Sequence, residues 1–426
     1  MEWVNLKVPA ERLSFAEAVR QGLGQQQGLF FPDQIPQLTL DAAFWQQDML
    51  ARAEQVMGAW LAPELGQETV SALVRDAFRF AAPLQAVTER SHCLELFHGP
   101  TLAFKDFGAR FLAQCLSRFA EDTPLTILTA TSGDTGAAVA DAFYGLDNIQ
   151  VVVLYPDGGI SPLQEKMFCT LGDNIHTLAV KGSFDDCQAL VKGAFSDAPL
   201  KQRYGLTSAN SINIARLLAQ ICYYFEALAQ LPAAQREQAV FSVPSGNFGN
   251  LTAGLLAKAM GAPIKRFVAA TNANDTVPRY LADGVWSPMP VHATLSNAMD
   301  VTSPNNWPRV EALCQRQGWP LSTLAAERVS EAETEQRLRQ LHQQGYLSEP
   351  HAAVASEALE RQLQPGEVGV FLGTAHPAKF QGAVEQVLEI ELPLPPALAA
   401  VVDKQVLSET LGADAAAFEA YLHRTV

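Results

Sequence analysis

Positive charge is scarce in this sequence of 426 residues. It holds 30 lysines and arginines against 45 aspartates and glutamates, which gives a formal net charge of −15. Nucleic-acid binding depends on clustered lysine and arginine side chains, so the composition argues against a nucleic-acid partner. A small anionic substrate remains compatible with this charge, because a few placed cations and backbone N–H groups can bind one locally.

Other features that would define a class of protein are also missing. The six cysteines form no CxxC pair and show no zinc-ligand spacing with the histidines, so we predict no metal site and a reducing compartment. The first residues, MEWVNLKVPAERL, lack the basic and apolar regions of a signal peptide, and no apolar run reaches 18 residues. We therefore expect a cytoplasmic protein without a membrane partner.

Short apolar strands alternate with helical patterns from about residue 91 onward. The strand-like runs are LTILTA, QVVVLYP, IHTLAV, AVFSVPS, RFVAATN and VGVFLGT. This alternation predicts a parallel, doubly wound α/β architecture. Residues 1–90 read as a separate N-terminal domain with helical patterns, 91–390 as the α/β core, and 391–426 as a helical segment behind a proline-bearing linker.

One lysine stands in an apolar, glycine-bearing stretch, HGPTLAFKDFGARF. Lys105 lies between Phe104 and Asp106, where an ammonium group is costly to desolvate. It could be a surface lysine whose stem covers an apolar patch. It could equally be an amine that loses its proton and attacks a carbonyl.

Two glycine-rich loops follow predicted strands, where ligands gather in α/β sheets. In TATSGDTGAAVADAF, the residues Ser132, Asp134 and Thr135 precede a helix and form either an anion site or an ordinary N-cap. In FSVPSGNFGNLTAGLL, the second loop offers backbone N–H groups to a phosphate, or is a plain glycine turn; its residues are Gly246, Asn247, Phe248, Gly249 and Asn250. Neither loop is a Walker A or GxGxxG motif.

Two further stretches carry polar groups. VGVFLGTAHPAKF supplies Thr374, His376 and Lys379, although a histidine in such a place is more often structural than catalytic. LTSANSINIARLLAQ supplies Asn210, Ser211 and Arg216 around a helix start, where they could bind an anion or simply cap the helix beside a surface arginine.

Taken together and in this order, these motifs resemble pyridoxal-phosphate enzymes of the tryptophan-synthase β type. Within that group, HGPTLAFKDFGARF, TATSGDTG, SANSINIAR and GTAHPAKF are similar to the threonine synthase family. The resemblance spans most of the chain, including the first ninety residues. It implies a two-lobed, parallel-sheet fold of type II with an N-terminal extra domain, and pyridoxal 5′-phosphate as cofactor.

The resemblance also implies roles for individual residues. Lys105 would be joined covalently to the cofactor aldehyde, Gly246–Asn250 would hold the cofactor phosphate, and Thr374 would face the pyridine nitrogen. Asp134 stands where many relatives place an asparagine against the cofactor's 3′-oxygen, and an ionised carboxylate would repel a phenolate there. Asp134 would therefore be protonated, turned away, or in contact through water. Ser132, Thr135, Asn210, Ser211 and Arg216 match positions that hold the substrate's carboxylate or phosphate in relatives. Lys379 is added to this set as a further candidate for the departing phosphate.

The implied reaction removes phosphate from the γ-carbon of O-phospho-L-homoserine and adds water at the β-carbon to give L-threonine. Lys105 would move the protons. The alternative is a related pyridoxal-phosphate-dependent lyase or dehydratase, and a non-catalytic protein of the same fold is the alternative from another class. The expected partner is this small-molecule substrate, with the protein a monomer or homodimer.

Overall fold

The computed structural model describes residues 1–119, 124–131 and 133–426. Its strands are β1 (Trp3–Asn5), β2 (Arg12–Leu13), β3 (Phe30–Pro32), β4 (Leu84–Ala86), β5 (Ser91–Glu95), β6 (Leu125–Ala130), β7 (Ile149–Pro156), β8 (Ile175–Lys181), β9 (Leu206–Ser208), β10 (Ala239–Pro244), β11 (Arg266–Thr271), β12 (Ala325–Arg328), β13 (Val368–Gly373) and β14 (Glu409–Gly412).

The helices connect and cover these strands. They are α1 (Phe15–Gln21), α2 (Ala42–Gln46), α3 (Met49–Leu65), α4 (Gln67–Ala77), α5 (Lys105–Phe119), α6 (Asp134–Phe143), α7 (Pro162–Phe168), α8 (Phe184–Ser196), α9 (Ala198–Tyr204), α10 (Ile214–Gln230), α11 (Gly249–Ala259), α12 (Thr276–Asp283), α13 (Trp307–Gln317), α14 (Glu331–Gln343), α15 (Pro350–Gln362), α16 (Gln381–Leu388), α17 (Pro396–Ala399) and α18 (Ala415–Thr425). Among the described residues, no helix is long and apolar enough to cross a bilayer.

The described strands form three sheets. The largest has the order β12-β11-β10-β13-β5-β4 and is parallel except for the edge pair β4–β5, while the second has the order β14-β8-β7-β6-β9 and is parallel throughout. A small antiparallel sheet, β2-β1-β3, lies in the N-terminal region. The predicted α/β fold, with mainly parallel sheets in two lobes and an N-terminal domain, is confirmed.

All six predicted strands are present, as β6, β7, β8, β10, β11 and β13. The domain boundaries near 90 and 390 stay predictions, although β4 already pairs with β5 in the large sheet. The expectation of a helical segment over 391–426 needs one correction, because β14 in that segment joins the edge of the second sheet beside β8.

Helix α10 is central to the packing and is buried along most of its length. It contacts α3 from the N-terminal region, α5 and α11. Two of these helices begin at predicted site residues, since α5 starts at Lys105 and α11 starts at Gly249. A shared buried helix therefore fixes the two helix starts relative to each other.

Candidate active site

Lys105 is placed by the polypeptide that follows β5. The segment before it pairs with the end of β13: the Phe104 N–H donates to the Thr374 carbonyl at 2.9 Å, and the His376 N–H donates to the Leu102 carbonyl at 3.0 Å. Leu102 has a φ of 58°, a left-handed conformation that is costly for a leucine and is held by these two bonds. The first residue of α5 is therefore fixed beside Thr374.

The amine of Lys105 lies in a largely buried setting. Its side chain is 14% exposed, and its Nζ lies 3.7 Å from Asp134 Oδ2. Burial lowers the pKa of Lys105, Asp134 opposes that effect, and the nearby charges of Lys379 and Arg216 lower the pKa further. The site therefore makes the amine easier to deprotonate than that of a free lysine, and the neutral amine is the form that can act as a nucleophile or a base.

Asp134 belongs to a fully buried ion pair. Lys379 Nζ lies 2.7 Å from Asp134 Oδ1 and donates to the Thr101 carbonyl at 2.7 Å, and Gln164 Nε2 donates to the same Asp134 oxygen at 3.3 Å. Burial alone would raise the pKa of Asp134, but the charge and hydrogen bond of Lys379, the main opposing influence, hold the pKa below the ordinary value. Of the three alternatives for Asp134, this lowered pKa favours an ionised carboxylate, with Lys379 as its counter-ion, over the protonated form.

The loop Gly246–Asn250 joins β10 to α11 and has the features of an anion site. Its five N–H groups find no protein acceptor among the described residues, and they stand at the positive end of a helix. Phe248 takes a left-handed conformation, with a φ of 61°, and turns the chain into α11. The loop therefore presents a row of donors that fits a phosphate group.

Gly246 has no room for a side chain. A Cβ atom there would lie 2.8 Å from Met299 Cα and 3.1 Å from the Ala298 carbonyl oxygen. The side chain of Asn250 is turned toward α10, where its Oδ1 accepts from Tyr223 and Tyr224 at 2.7 Å each. The backbone N–H of Asn250 and its buried Nδ2, which has no partner among the described residues, are thus left as donors.

Arg216 brings a further cation to the site. Its Nη1 donates to the Ala209 carbonyl at 2.7 Å, whereas its Nε is buried without a partner among the described residues. Burial lowers the pKa of Arg216 to about 10, so the guanidinium remains charged near neutral pH. A Cβ at Gly108 would lie 3.0 Å from the Arg216 carbonyl oxygen, which shows how closely α5 and α10 approach. A buried guanidinium with a free N–H is suited to an anionic guest.

The other residues predicted to bind the substrate's anionic groups each have different neighbours. Asn210 Oδ1 accepts from Thr129 Oγ1 at 2.6 Å, and the Ser211 carbonyl accepts from Asn306 Nδ2 at 3.3 Å. Thr135 is half-buried in the first turn of α6. Ser132 lies outside the described residues.

His376 is the N-cap of the short helical turn after β13. Its Nδ1 accepts from the Ala378 N–H at 3.1 Å, and its ring packs edge-on against Phe97 at 5.6 Å. Burial lowers the pKa of His376, so the imidazole is kept neutral.

Sequence reasoning missed several residues around these groups. Gln164 and Thr101 hold Asp134 and Lys379, and neither stands in a recognisable motif for that role. Glu349 and His351 form a buried pair, with His351 Nδ1 2.6 Å from Glu349 Oε2. The EPH triplet before a helical pattern was the available signal, because an acidic residue at that place is an N-cap.

The chain matches family profiles along nearly its whole length. Residues 89–373 match the family described as pyridoxal-phosphate dependent enzyme, residues 6–78 match threonine synthase N terminus, and residues 352–422 match threonine synthase, C-terminal. The buried amine of Lys105 and the donor row of Gly246–Asn250 fit an aldehyde that carries a phosphate. Fold and site together define a pyridoxal-phosphate-dependent enzyme.

Full-length relatives narrow this class. The chain is 59% identical over 422 residues to threonine synthase of Haemophilus influenzae, and this match covers 99% of each of the two sequences. It is 60% identical over 419 residues to threonine synthase of Escherichia coli, and this match covers 98% of each sequence. The chain belongs to the threonine synthase family.

Solved structures agree with this assignment. The crystal structure of threonine synthase from Escherichia coli is similar with a TM-score of 0.96 at 59% identity, and both chains are covered completely. The pyridoxal-phosphate-bound threonine synthase from Brucella melitensis has a TM-score of 0.92 at 33% identity, covering 100% of this chain and 99% of that one. A tomato threonine deaminase, at 15% identity and a TM-score of 0.59, shares the fold alone.

Proposed function

We propose that the protein converts O-phospho-L-homoserine and water into L-threonine and inorganic phosphate, the last step of threonine biosynthesis. The observation that carries this proposal is the buried amine of Lys105, whose pKa is lowered by burial and by the nearby charges of Lys379 and Arg216 and is raised by Asp134, 3.7 Å away. Such a site makes the amine easier to deprotonate and suits an anionic substrate. Family membership supports the same conclusion.

The loop Gly246–Asn250 is our candidate for the phosphate of pyridoxal 5′-phosphate, and Thr374 for the neighbour of its pyridine ring. Strands β10 and β13, which end at these two places, are adjacent in the sheet. When bound, the cofactor supplies an electron sink conjugated with the α-carbon of the substrate. Lys105 would take the proton from the α-carbon and then one from the β-carbon, whose electron pair expels the phosphate from the γ-carbon. It would return one proton at the γ-carbon and, after water has added at the β-carbon, the other at the α-carbon.

Arg216 is our candidate for the principal ligand of the substrate's anionic groups. It is the cation near Lys105 that still has a free buried N–H, whereas Lys379 is already paired with Asp134. Thr135, Asn210, Ser211 and Ser132 complete the proposed set as neutral donors. In this scheme Lys379 is no longer a direct ligand of the substrate.

The test is a product analysis of the purified, cofactor-loaded enzyme. With O-phospho-L-homoserine it should release threonine and phosphate in equal amounts, and with threonine it should release little ammonia. Lys105→Ala, which keeps the cofactor-phosphate loop, should release neither product. If threonine were dehydrated and phosphohomoserine left intact, the related dehydratase would be the correct function instead.

A cytoplasmic location and a monomeric or homodimeric state also belong to this proposal. All six cysteines are free and buried, which suits a reducing compartment. Cell fractionation and light scattering of the purified protein would test the two predictions separately.

A further inference from the structure

The carboxylate of Glu349 organises the start of α15 and orients His351. Its Oε1 accepts from the Ala352 N–H at 2.8 Å, and its Oε2 accepts from the His351 N–H at 2.7 Å and lies 2.6 Å from His351 Nδ1. A carboxylate can only accept there, so the proton of the imidazole is on Nδ1. The lone pair of Nε2 is therefore free to accept a hydrogen bond.

That lone pair has a single partner in a different part of the chain. The Ala298 N–H donates to His351 Nε2 at 3.1 Å, and His351 is 3% exposed. Ala298 lies in a short helical turn, Asn297–Met299, which packs backbone to backbone on Gly246. The imidazole thus fixes the turn that presses on the first residue of the proposed phosphate loop.

The helix cap alone does not account for His351. Glu349 already satisfies the first two N–H groups of α15 through its own oxygens, and any residue at 351 would supply the same backbone N–H. What the imidazole adds is the bond to Ala298 and a ring contact with Phe380 at 4.8 Å. The specific contribution of the His351 imidazole is therefore to hold the Asn297–Met299 turn.

We infer that Glu349 and His351 are positioning residues for the cofactor phosphate: they hold the Asn297–Met299 turn against Gly246 and keep the N–H row of Gly246–Asn250 in register with the anion. This inference rests on the proposed role of that loop. It assigns the pair no contact with the substrate or with the reacting atoms. Its effect is expected in cofactor affinity, with kcat at saturating cofactor little changed.

The experiment compares two ligands of the cofactor-free protein, pyridoxal phosphate and pyridoxal, which lacks the phosphate. Dissociation constants are measured by absorbance and fluorescence titration. His351→Leu, which removes the acceptor for Ala298, should weaken pyridoxal phosphate at least tenfold and pyridoxal less than twofold. His351→Gln, whose amide oxygen can accept in place of Nε2, should recover most of the affinity.

Ser356→Ala is the matched control, because it removes a buried hydrogen bond of the same helix, from Arg337 Nε at 3.0 Å, away from the turn. It should leave both dissociation constants unchanged. Equal weakening of both ligands by His351→Leu and by Ser356→Ala would show a merely structural role and overturn the inference, as would no weakening at all. If His351→Leu fails to fold, Glu349→Gln, which releases the imidazole from its orientation, carries the same expectations. Turnover of phosphohomoserine by the wild-type protein tests the proposed function separately.

Discussion

Removal of the Lys379 ammonium, as in Lys379→Met, probes the charge balance around Lys105. The Lys379 side chain is fully buried and its Nζ lies 2.7 Å from Asp134 Oδ1. At that 2.7 Å separation, two unit charges attract by about 6 kcal/mol with an effective dielectric constant of about 20. Loss of one partner from a buried pair costs about 3–5 kcal/mol, since the remaining charge is left uncompensated.

A double-mutant cycle measures this coupling. Lys379→Met and Asp134→Asn should each lower the free energy of unfolding of the cofactor-free protein by about 3 kcal/mol, because each removes the nearest counter-charge of a buried ionised group. The double variant, which has neither charge, should be no less stable than either single variant. Additive losses, measured by urea unfolding, would refute the assignment of a strong ion pair.

Lys379→Met should also change the pH dependence of kcat/KM. Lys379 lowers the pKa of Lys105, so its removal raises that pKa, and Asp134, freed from its partner, raises it further by turning to Lys105. Because the neutral amine is the active form, the acid limb of the kcat/KM profile should move to higher pH. Lys258→Met is the control: Lys258 donates to the Lys265 carbonyl at 2.7 Å and has no carboxylate partner in the part of the chain that the structure describes, so its loss should leave the profile in place. An unmoved or acid-shifted limb in Lys379→Met would refute the reasoning.

Three other changes have definite expected outcomes. Lys105→Ala should reduce turnover by at least about 1,000-fold while the melting temperature stays close to that of the wild type, since an amine that moves protons is lost from a pocket; joint collapse of both would make Lys105 structural. Arg216→Ala should raise KM for phosphohomoserine roughly tenfold to hundredfold, the size expected for charge-assisted hydrogen bonds, and change the dissociation constant of the cofactor much less; equal changes would contradict our separation of the two anion sites. Burial would raise the pKa of Glu367, but Arg266 and Lys265 hold it at about 2, so its contribution of about 3 kcal/mol is present above pH 4.5 and lost as pH falls toward 2. Glu367→Gln should remove that part of the acid dependence of unfolding, and an unchanged acid profile would count against it.

The sequence predicted those parts of the fold whose signal is local. Strands such as β7 and β13 are continuous apolar runs, which is the pattern of a parallel strand buried on both faces. The glycine-bearing loops at Asp134 and Gly246–Asn250 were found because they follow such strands directly. Strand β5, SHCLE, was missed, since its polar residues hide it, although it lies beside β13 in the large sheet.

The partner of Asp134 could not be predicted, because it depends on where distant segments meet. Lys379 belongs to the turn after β13, and it reaches Asp134 only because the segment before α5 pairs with that turn and offers the Thr101 carbonyl as a second acceptor. No periodicity or spacing in the sequence predicts this contact between Lys379 and Asp134. The same holds for His351 and Ala298, which are joined by one hydrogen bond between elements far apart in the sequence.

The buried ion pair also explains how an acidic protein can hold anions at its centre. The net charge of −15 belongs mainly to solvated side chains, whose field is screened within about 8–10 Å at moderate ionic strength. In the site, Lys379 is paired with Asp134 at 2.7 Å, and the carboxyl of Asp106, with a pKa raised by burial to about 6, interacts with Arg216. The Arg216 guanidinium still keeps a buried N–H without a partner among the described residues, and burial lowers the pKa of Lys105. A site that already has one fixed cation gains by binding a phosphate and by keeping Lys105 neutral, so substrate binding and proton abstraction depend on the same arrangement of charges.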